Sequence, residues 1–160
     1  MIKAIVIFSG VLCLGFVNGV FADEHDHAQG KIPQSSDGLK IESPAKCKNC
    51  GMYRNVFTSN RVLITFTDGT SVGTCSINCA YEEVAKNASK KIKNIKVADY
   101  ISKKLIDAKK AAWVIGGRKP GVMSTTAKWA FSDKTEAEKF ILENGGKIAN
   151  FEEAWKAAAQ

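Results

Sequence analysis

Histidine is almost missing from this chain: 160 residues hold two, His25 and His27, so everything beyond residue 27 lacks an imidazole. No hydrolase or transferase constellation can be assembled without one here, because the remaining candidate, Asp68, sits in an Asp-Gly turn for conformational reasons. The chain reads as a protein that is not an enzyme. Long hydrophobic runs are missing too. The apolar stretch from Ala4 to Leu14 is too short to span a bilayer, which argues against stable membrane insertion. Aromatic residues make up only 9% of the chain and none alternates with the lysines between Lys86 and Lys119 as a stacking platform, which makes nucleic acid a poor candidate partner.

The first residues carry an address. Lys3 precedes the apolar run, and Val20-Phe21-Ala22 places small residues where a signal peptidase cuts, so residues 1–22 read as a signal peptide cleaved after Ala22. Leu12 is too bulky for Cys13 to serve as a lipidation site. Export to the periplasm follows as the expectation. Cleavage there would free an N-terminal Asp23-Glu24-His25, whose amine, two amides and imidazole form a square-planar site for copper(II) or nickel(II). Residues 23–44, with Pro33, Ser35, Ser36, Gly38 and Pro44, read as a flexible leader.

The formal net charge is +7, and it is unevenly spread. From Lys86 to Lys119 eleven Lys or Arg residues face only Asp99 and Asp107, a solvated face or a docking surface for an acidic partner.

Val62, Ile64 and Phe66 alternate with more polar neighbours, and Asp68-Gly69 supplies a tight turn before Thr70 to Thr74, which predicts a hairpin. Ile77, Ala80, Tyr81, Val84 and Ala88 predict a helix from Ser76 to about Lys91. Strands are predicted over 95–100, 111–115 and 128–131. A helix opens at Asp133 and Glu136 as a capping box and stops at Gly145-Gly146, and a last short helix runs through Trp155. Each half thus repeats strand, strand, helix, strand. The fold class is α+β: two similar ββαβ halves of antiparallel hairpins with helices, 45–100 and 101–160, the first bearing cysteines and the second a methionine loop.

Cys47 and Cys50 sit in a turn ending at Gly51, and Cys75 and Cys79 flank a predicted helix start, whose dipole favours thiolates. The hairpin between them can carry the turn back beside the helix, as in treble-clef metal sites. Three occupations compete: zinc in a closed four-thiolate site, disulfides in any of three pairings, or copper(I), which suits both an exported chain and soft ligands. Methionine tilts the balance towards copper(I). Met52 follows the Cys-x-x-Cys turn directly, and Met123 lies among turn formers in Gly121-Val122-Met123, where no core packing demands it.

Cys50-Gly51-Met52, Asp68-Gly69, Ala112-Trp113-Val114-Ile115-Gly116, Arg118-Lys119, Gly121-Val122-Met123, Phe131-Ser132-Asp133 and Gly145-Gly146 stand in the order found in the NosL family, accessory proteins of nitrous oxide reductase. The chain resembles that family over about residues 45–155, and its first half also resembles TRASH and YHS metal-binding modules. The resemblance implies a periplasmic copper(I) carrier that supplies nitrous oxide reductase or another exported copper protein. It places the family's metal-binding cysteine on Cys50 and its loop methionine on Met123. Cys47, Cys75 and Cys79 are additions to the family pattern, and with Met52 they are candidates to complete the site or to hold a different metal. The rival readings are a thiol-disulfide oxidoreductase using Cys47 and Cys50, or a zinc- or disulfide-stabilised binding module.

Overall fold

A computed structural model describes residues 41–160; the predicted signal peptide, Cys13 and the Asp23-Glu24-His25 motif lie outside the described residues. Among the described residues, no helix is long and apolar enough to cross a membrane.

The first sheet is antiparallel. Strands β1 (Val62–Phe66) and β2 (Ser71–Thr74) form the hairpin, followed by helix α1 (Ile77–Lys86) and strands β3 (Ile92–Ala98) and β4 (Leu105–Asp107), in the order β2-β1-β3-β4. The second sheet repeats the pattern. Strands β5 (Ala112–Ile115) and β6 (Lys128–Phe131), helix α2 (Lys134–Asn144) and strand β7 (Lys147–Ala149) give the order β6-β5-β7, and helix α3 (Phe151–Ala158) closes the chain. In both halves the first strand is central, flanked by its hairpin partner and by the strand that follows the helix. The architecture is the α+β arrangement of two ββαβ halves.

Periodicity decides which faces meet. Val62, Ile64 and Phe66 turn one face of β1 into a core that also takes Ile77 and Ala80 of α1, Trp113 and Ile115 of β5, and Phe151, Ala154 and Ala158 of α3. Val114, Trp129 and Phe131 point the other way, onto Ala137 and Phe140 of α2. The β5–β6 pair is therefore buried on both faces, which is why β6 reads as a continuous run with every residue buried.

The ends of several elements fall elsewhere than local pattern suggests. Helix α1 stops at Lys86, not near Lys91, because the Asn87 backbone N–H and side chain both donate to the Glu83 carbonyl and end the ladder. Strand β3 then begins at Ile92, three residues before the predicted start. The short β4, which no local signal marks, pairs with the β3 edge through Lys96–Asp107, Val97–Ile106 and Ala98–Leu105, so the first sheet runs on past Tyr100. At α2, Asp133 accepts from the Thr135 N–H at 2.7 Å, but Glu136 turns to Lys139 Nζ at 2.7 Å and no capping box forms. The reciprocal box occurs instead at α3, between Asn150 and Glu153.

Asp99 joins the halves. It is buried, and its carboxylate accepts from the N–H and Oγ of Ser102 at 2.7 and 2.6 Å and from the N–H and Oγ of Ser132, just after β6, at 2.7 and 3.1 Å. Burial alone would raise its pKa, but the four hydrogen bonds together outweigh it and hold the carboxyl below the usual range. A depressed carboxyl contributes stability that is present above the unfolded value of about 3.9 and is lost as pH falls through the folded one. Asp99→Ala, which strands the Ser132 N–H, is expected to cost about 2–3 kcal/mol at neutral pH. In urea unfolding this deficit should shrink as pH drops below about 4; a deficit that is constant with pH would refute the charged cap.

Candidate metal centre

The Cys47-Lys48-Asn49-Cys50 turn is held at both ends. The Cys47 N–H donates to the Met52 carbonyl at 2.7 Å and the Gly51 N–H to the Cys47 carbonyl at 2.9 Å, with Gly51 at φ +76°, a conformation that costs glycine little. The Lys48 N–H donates to the Gly73 carbonyl of β2 at 3.0 Å, laying the turn along the hairpin just before Cys75. Lys86, in the last turn of α1, donates to Asn49 Oδ1 and, at 3.1 Å, to Glu83 Oε1, tying the tip of the turn to the helix. Ser76 caps α1 by accepting from the Cys79 N–H at 3.3 Å, so Cys75 and Cys79 sit on either side of a fixed helix start.

The clamp behind this arrangement is Arg54. It is fully buried in a single 3-10 turn over Arg54–Phe57. Its Nε donates to the Thr74 carbonyl at 3.1 Å, its Nη1 to the Pro44 and Glu42 carbonyls at 2.6 and 3.1 Å, and its Nη2 to the Val62 carbonyl at 3.1 Å and to Glu42 Oε1. One side chain thus staples the approach to Cys47, the start of β1 and the residue before Cys75. Glu42 also accepts from Arg61 Nε at 3.1 Å, so one carboxylate faces two guanidinium groups. Burial pulls the Arg54 pKa down; Glu42 and, more weakly, the Cys47 thiolate push it back.

The result is a quartet. The sulfurs of Cys47, Cys50, Cys75 and Cys79 all lie within 4.8 Å of one another, with Cys50–Cys75 at 3.5 Å and Cys75–Cys79 at 3.7 Å. Four sulfurs at about 2.3 Å from one ion would stand about 3.8 Å apart, so the cluster is close to the spacing a single metal requires. All four are free thiols, and the closest pair is far beyond the ~2.05 Å of a disulfide bond. Cys47, Cys75 and Cys79 are buried, whereas Cys50 is half-buried and forms the rim. Hydrogen bonds donated by the Cys75 and Cys79 thiols hold the Cys47 pKa far below the ordinary thiol range, against the effect of burial. The same contact to Cys47 pushes Cys75 far upward and Cys79 to about 11. Metal uptake therefore displaces protons from Cys75 and Cys79, while Cys47 is the sulfur favoured as thiolate.

Met123 is 45% exposed and stands in the left-handed region at φ +56°. It lines a cavity of about 170 Å³ together with Cys79, Asn49, Asn78 and Glu82, while its neighbour Val122 packs with Phe57 against the cysteines. The loop methionine and the quartet therefore share one end of the molecule. Met52 is 42% exposed and touches the quartet's backbone through its carbonyl. No helix starts at Cys47 or Cys50, so this pair lacks the helix dipole that activates an oxidoreductase Cys-x-x-Cys.

Residues 38–159 match the description of one protein family, NosL. The chain belongs to the NosL family. Among solved structures, this NosL-family chain is similar to the copper chaperone NosL from Shewanella denitrificans, with a TM-score of 0.57 and 24% identity over 76% of this chain and 96% of that one. The likeness is one of fold. No curated protein sequence matches the chain.

Arg54, Asn78 and Lys128 escape a reading of sequence alone. A signal for Arg54 exists: it is one of three arginines, Arg54, Arg61 and Arg118, in a chain whose cations are otherwise lysines, and a guanidinium rather than an ammonium suits a buried fork of acceptors. Nothing local marks Asn78 or Lys128, whose roles depend on elements fifty residues apart meeting.

Proposed function

We propose that this protein is an exported copper(I) metallochaperone, holding the ion through Cys50 and Met123 with Cys47, Cys75 and Cys79 as the inner sulfurs and Met52 as a further rim thioether. The observation that carries this reading is the convergence of four thiols within 4.8 Å at the end of the molecule where the Met123 loop is seated. Thiolate and thioether together suit copper(I), and a half-buried rim cysteine beside an exposed methionine suits a carrier, because an incoming ligand can replace the outer sulfurs one at a time. The periplasm is the proposed compartment and nitrous oxide reductase, or another exported copper protein, the proposed recipient.

Docking on an acidic recipient is supported by cations gathered nearby. Lys103 and Lys119 lie over the Tyr100 ring at 4.7 and 5.6 Å, and Lys119 lies 5.7 Å from the Trp129 ring, in a groove that Val122 also lines.

One observation favours a second occupant. Edges of 3.5 and 3.7 Å also suit zinc in a closed tetrathiolate, which uses no methionine. Anaerobic titration against a competing copper(I) chelator, repeated with zinc, separates the two. For copper(I), Met123→Ala should weaken binding about tenfold while zinc binding is unchanged. Zinc bound more tightly than copper(I), with no response of copper(I) to Met123→Ala, would leave a structural zinc module in place of a carrier.

A further inference from the structure

Lys128 is an oddity of the fold. It opens strand β6, is only 4% exposed, and among the described residues has no carboxylate within ion-pair distance. An ammonium buried without a counter-ion is costly unless every proton is hydrogen-bonded. Here each of the three is accounted for: Nζ donates to Ser124 Oγ at 2.9 Å, to the Thr126 carbonyl at 3.0 Å and to Asn78 Oδ1 at 3.3 Å. Burial lowers its pKa.

These acceptors belong to the Met123 loop and to the helix that bears Cys79. Ser124 and Thr126 belong to the loop that carries Met123, and Ser124 Oγ also donates to the Thr126 carbonyl at 2.6 Å and accepts from the Thr126 N–H at 3.1 Å. Asn78 directly precedes Cys79 on α1, is itself buried, and donates to the Ala158 carbonyl at the end of α3 at 3.2 Å. The loop is tightly wound as well. A Cβ at Gly121 would stand 2.6 Å from the Ser124 carbonyl oxygen, and Met123 holds a left-handed backbone that a side chain adopts only when its surroundings impose it.

We infer that Lys128 is a positioning residue for the metal site, a latch from the Met123 loop to Asn78 that holds the thioether over the cysteine quartet. The inference rests on the copper(I) reading above. It explains why a lysine, and not an apolar residue, occupies a buried strand position. An apolar side chain would leave Asn78 Oδ1 without its donor, leave Ser124 and Thr126 bonded only to each other, and free the loop from the helix that bears Cys79.

The test is copper(I) and zinc affinity by chelator competition, with the Met123 methyl followed by NMR on copper addition, for Lys128→Met, Asn78→Ala, Met123→Ala and the Lys128→Met/Met123→Ala double variant. Lys128→Met should weaken copper(I) binding about tenfold, as Met123→Ala does, and abolish the methyl shift. In the double variant the second change should add less than about twofold, because both remove one interaction. Zinc affinity, which needs only the thiols, should stay within about twofold of wild type throughout. Lys128→Arg, which keeps charge and donors, should recover part of the copper affinity. Equal losses for zinc and copper, or a methyl shift retained in Lys128→Met, would overturn the latch and leave Lys128 as general scaffolding. Should Lys128→Met fail to fold, Asn78→Ala removes the same contact and carries the same expectations. Wild-type copper affinity in Met123→Ala would overturn the methionine as a ligand and the latch with it, an outcome distinct from loss in Met123→Ala without loss in Lys128→Met.

Discussion

Cys75→Ser should abolish tight copper(I) binding, lowering affinity by more than about a hundredfold, the largest effect expected of any single sulfur. Cys75 is fully buried, and its sulfur stands 3.5 Å from that of Cys50 and 3.7 Å from that of Cys79, so it links the rim to the interior of the quartet. A serine oxygen is a hard donor, and the surrounding sulfurs are fixed by the helix cap and the turn, so the site cannot close around the substitution. Cys50→Ser, at the rim, should cost less, about tenfold. Chelator competition measures both, and the copper-induced gain in melting temperature gives an independent reading, since a ligand at a thousandfold excess over its Kd adds about 4 kcal/mol. That gain should fall to about 1.4 kcal/mol or less in Cys75→Ser. Affinity for Cys75→Ser within tenfold of wild type, or Cys50→Ser the more damaging of the two, would mean that the inner sulfurs are not ligands.

Arg54→Leu should destabilise the metal-free protein by about 3–5 kcal/mol, because it leaves the Glu42 carboxylate with Arg61 as its remaining partner and deprives the Thr74, Val62, Pro44 and Glu42 carbonyls of the guanidinium donor. Metal affinity should fall with it, since the same guanidinium holds the approach to Cys47 against the residue before Cys75. Arg54→Lys should rescue little: one ammonium has three protons and no planar fork to reach acceptors on three segments. Gly73→Ala approaches the same clamp from outside. Its Cβ would lie 2.6 Å from Arg54 Cζ and Nη1, so the guanidinium must move or the hairpin must open. Urea unfolding of the three variants is the measurement; a loss below about 1 kcal/mol for Arg54→Leu would show that the hairpin alone holds the turn in place.

Much of the fold is written locally. Alternation in Val62 to Phe66 and the Asp68-Gly69 turn are short-range features, and they produce the β1–β2 hairpin with Gly69 at φ +85°. Helix α1 is equally legible up to the point where Asn87 captures the Glu83 carbonyl. Errors gather where a neighbour decides. Strand β4 exists because the β3 edge is there to pair with, and three residues carry no periodicity of their own. Asp133 with Glu136 and Asn150 with Glu153 present the same capping signature, yet only the second closes, as Lys139 draws Glu136 away.

The metal centre divides in the same manner. Spacing within each cysteine pair, the softness of sulfur against the absence of histidine beyond residue 27, and the placement of Met123 among turn formers are properties of the chain read along its length, and the sequence by itself determined them. That two pairs twenty-five residues apart converge, that Cys50 becomes the rim, and that Met123 lines a cavity with Cys79 were decided only by the tertiary structure. The physical reason is that closing a loop of this length costs entropy which no local interaction returns. Here it is offset by side chains that act across the fold, the buried guanidinium of Arg54 bonded to the residue before Cys75 and the ammonium of Lys128 bonded to the residue before Cys79.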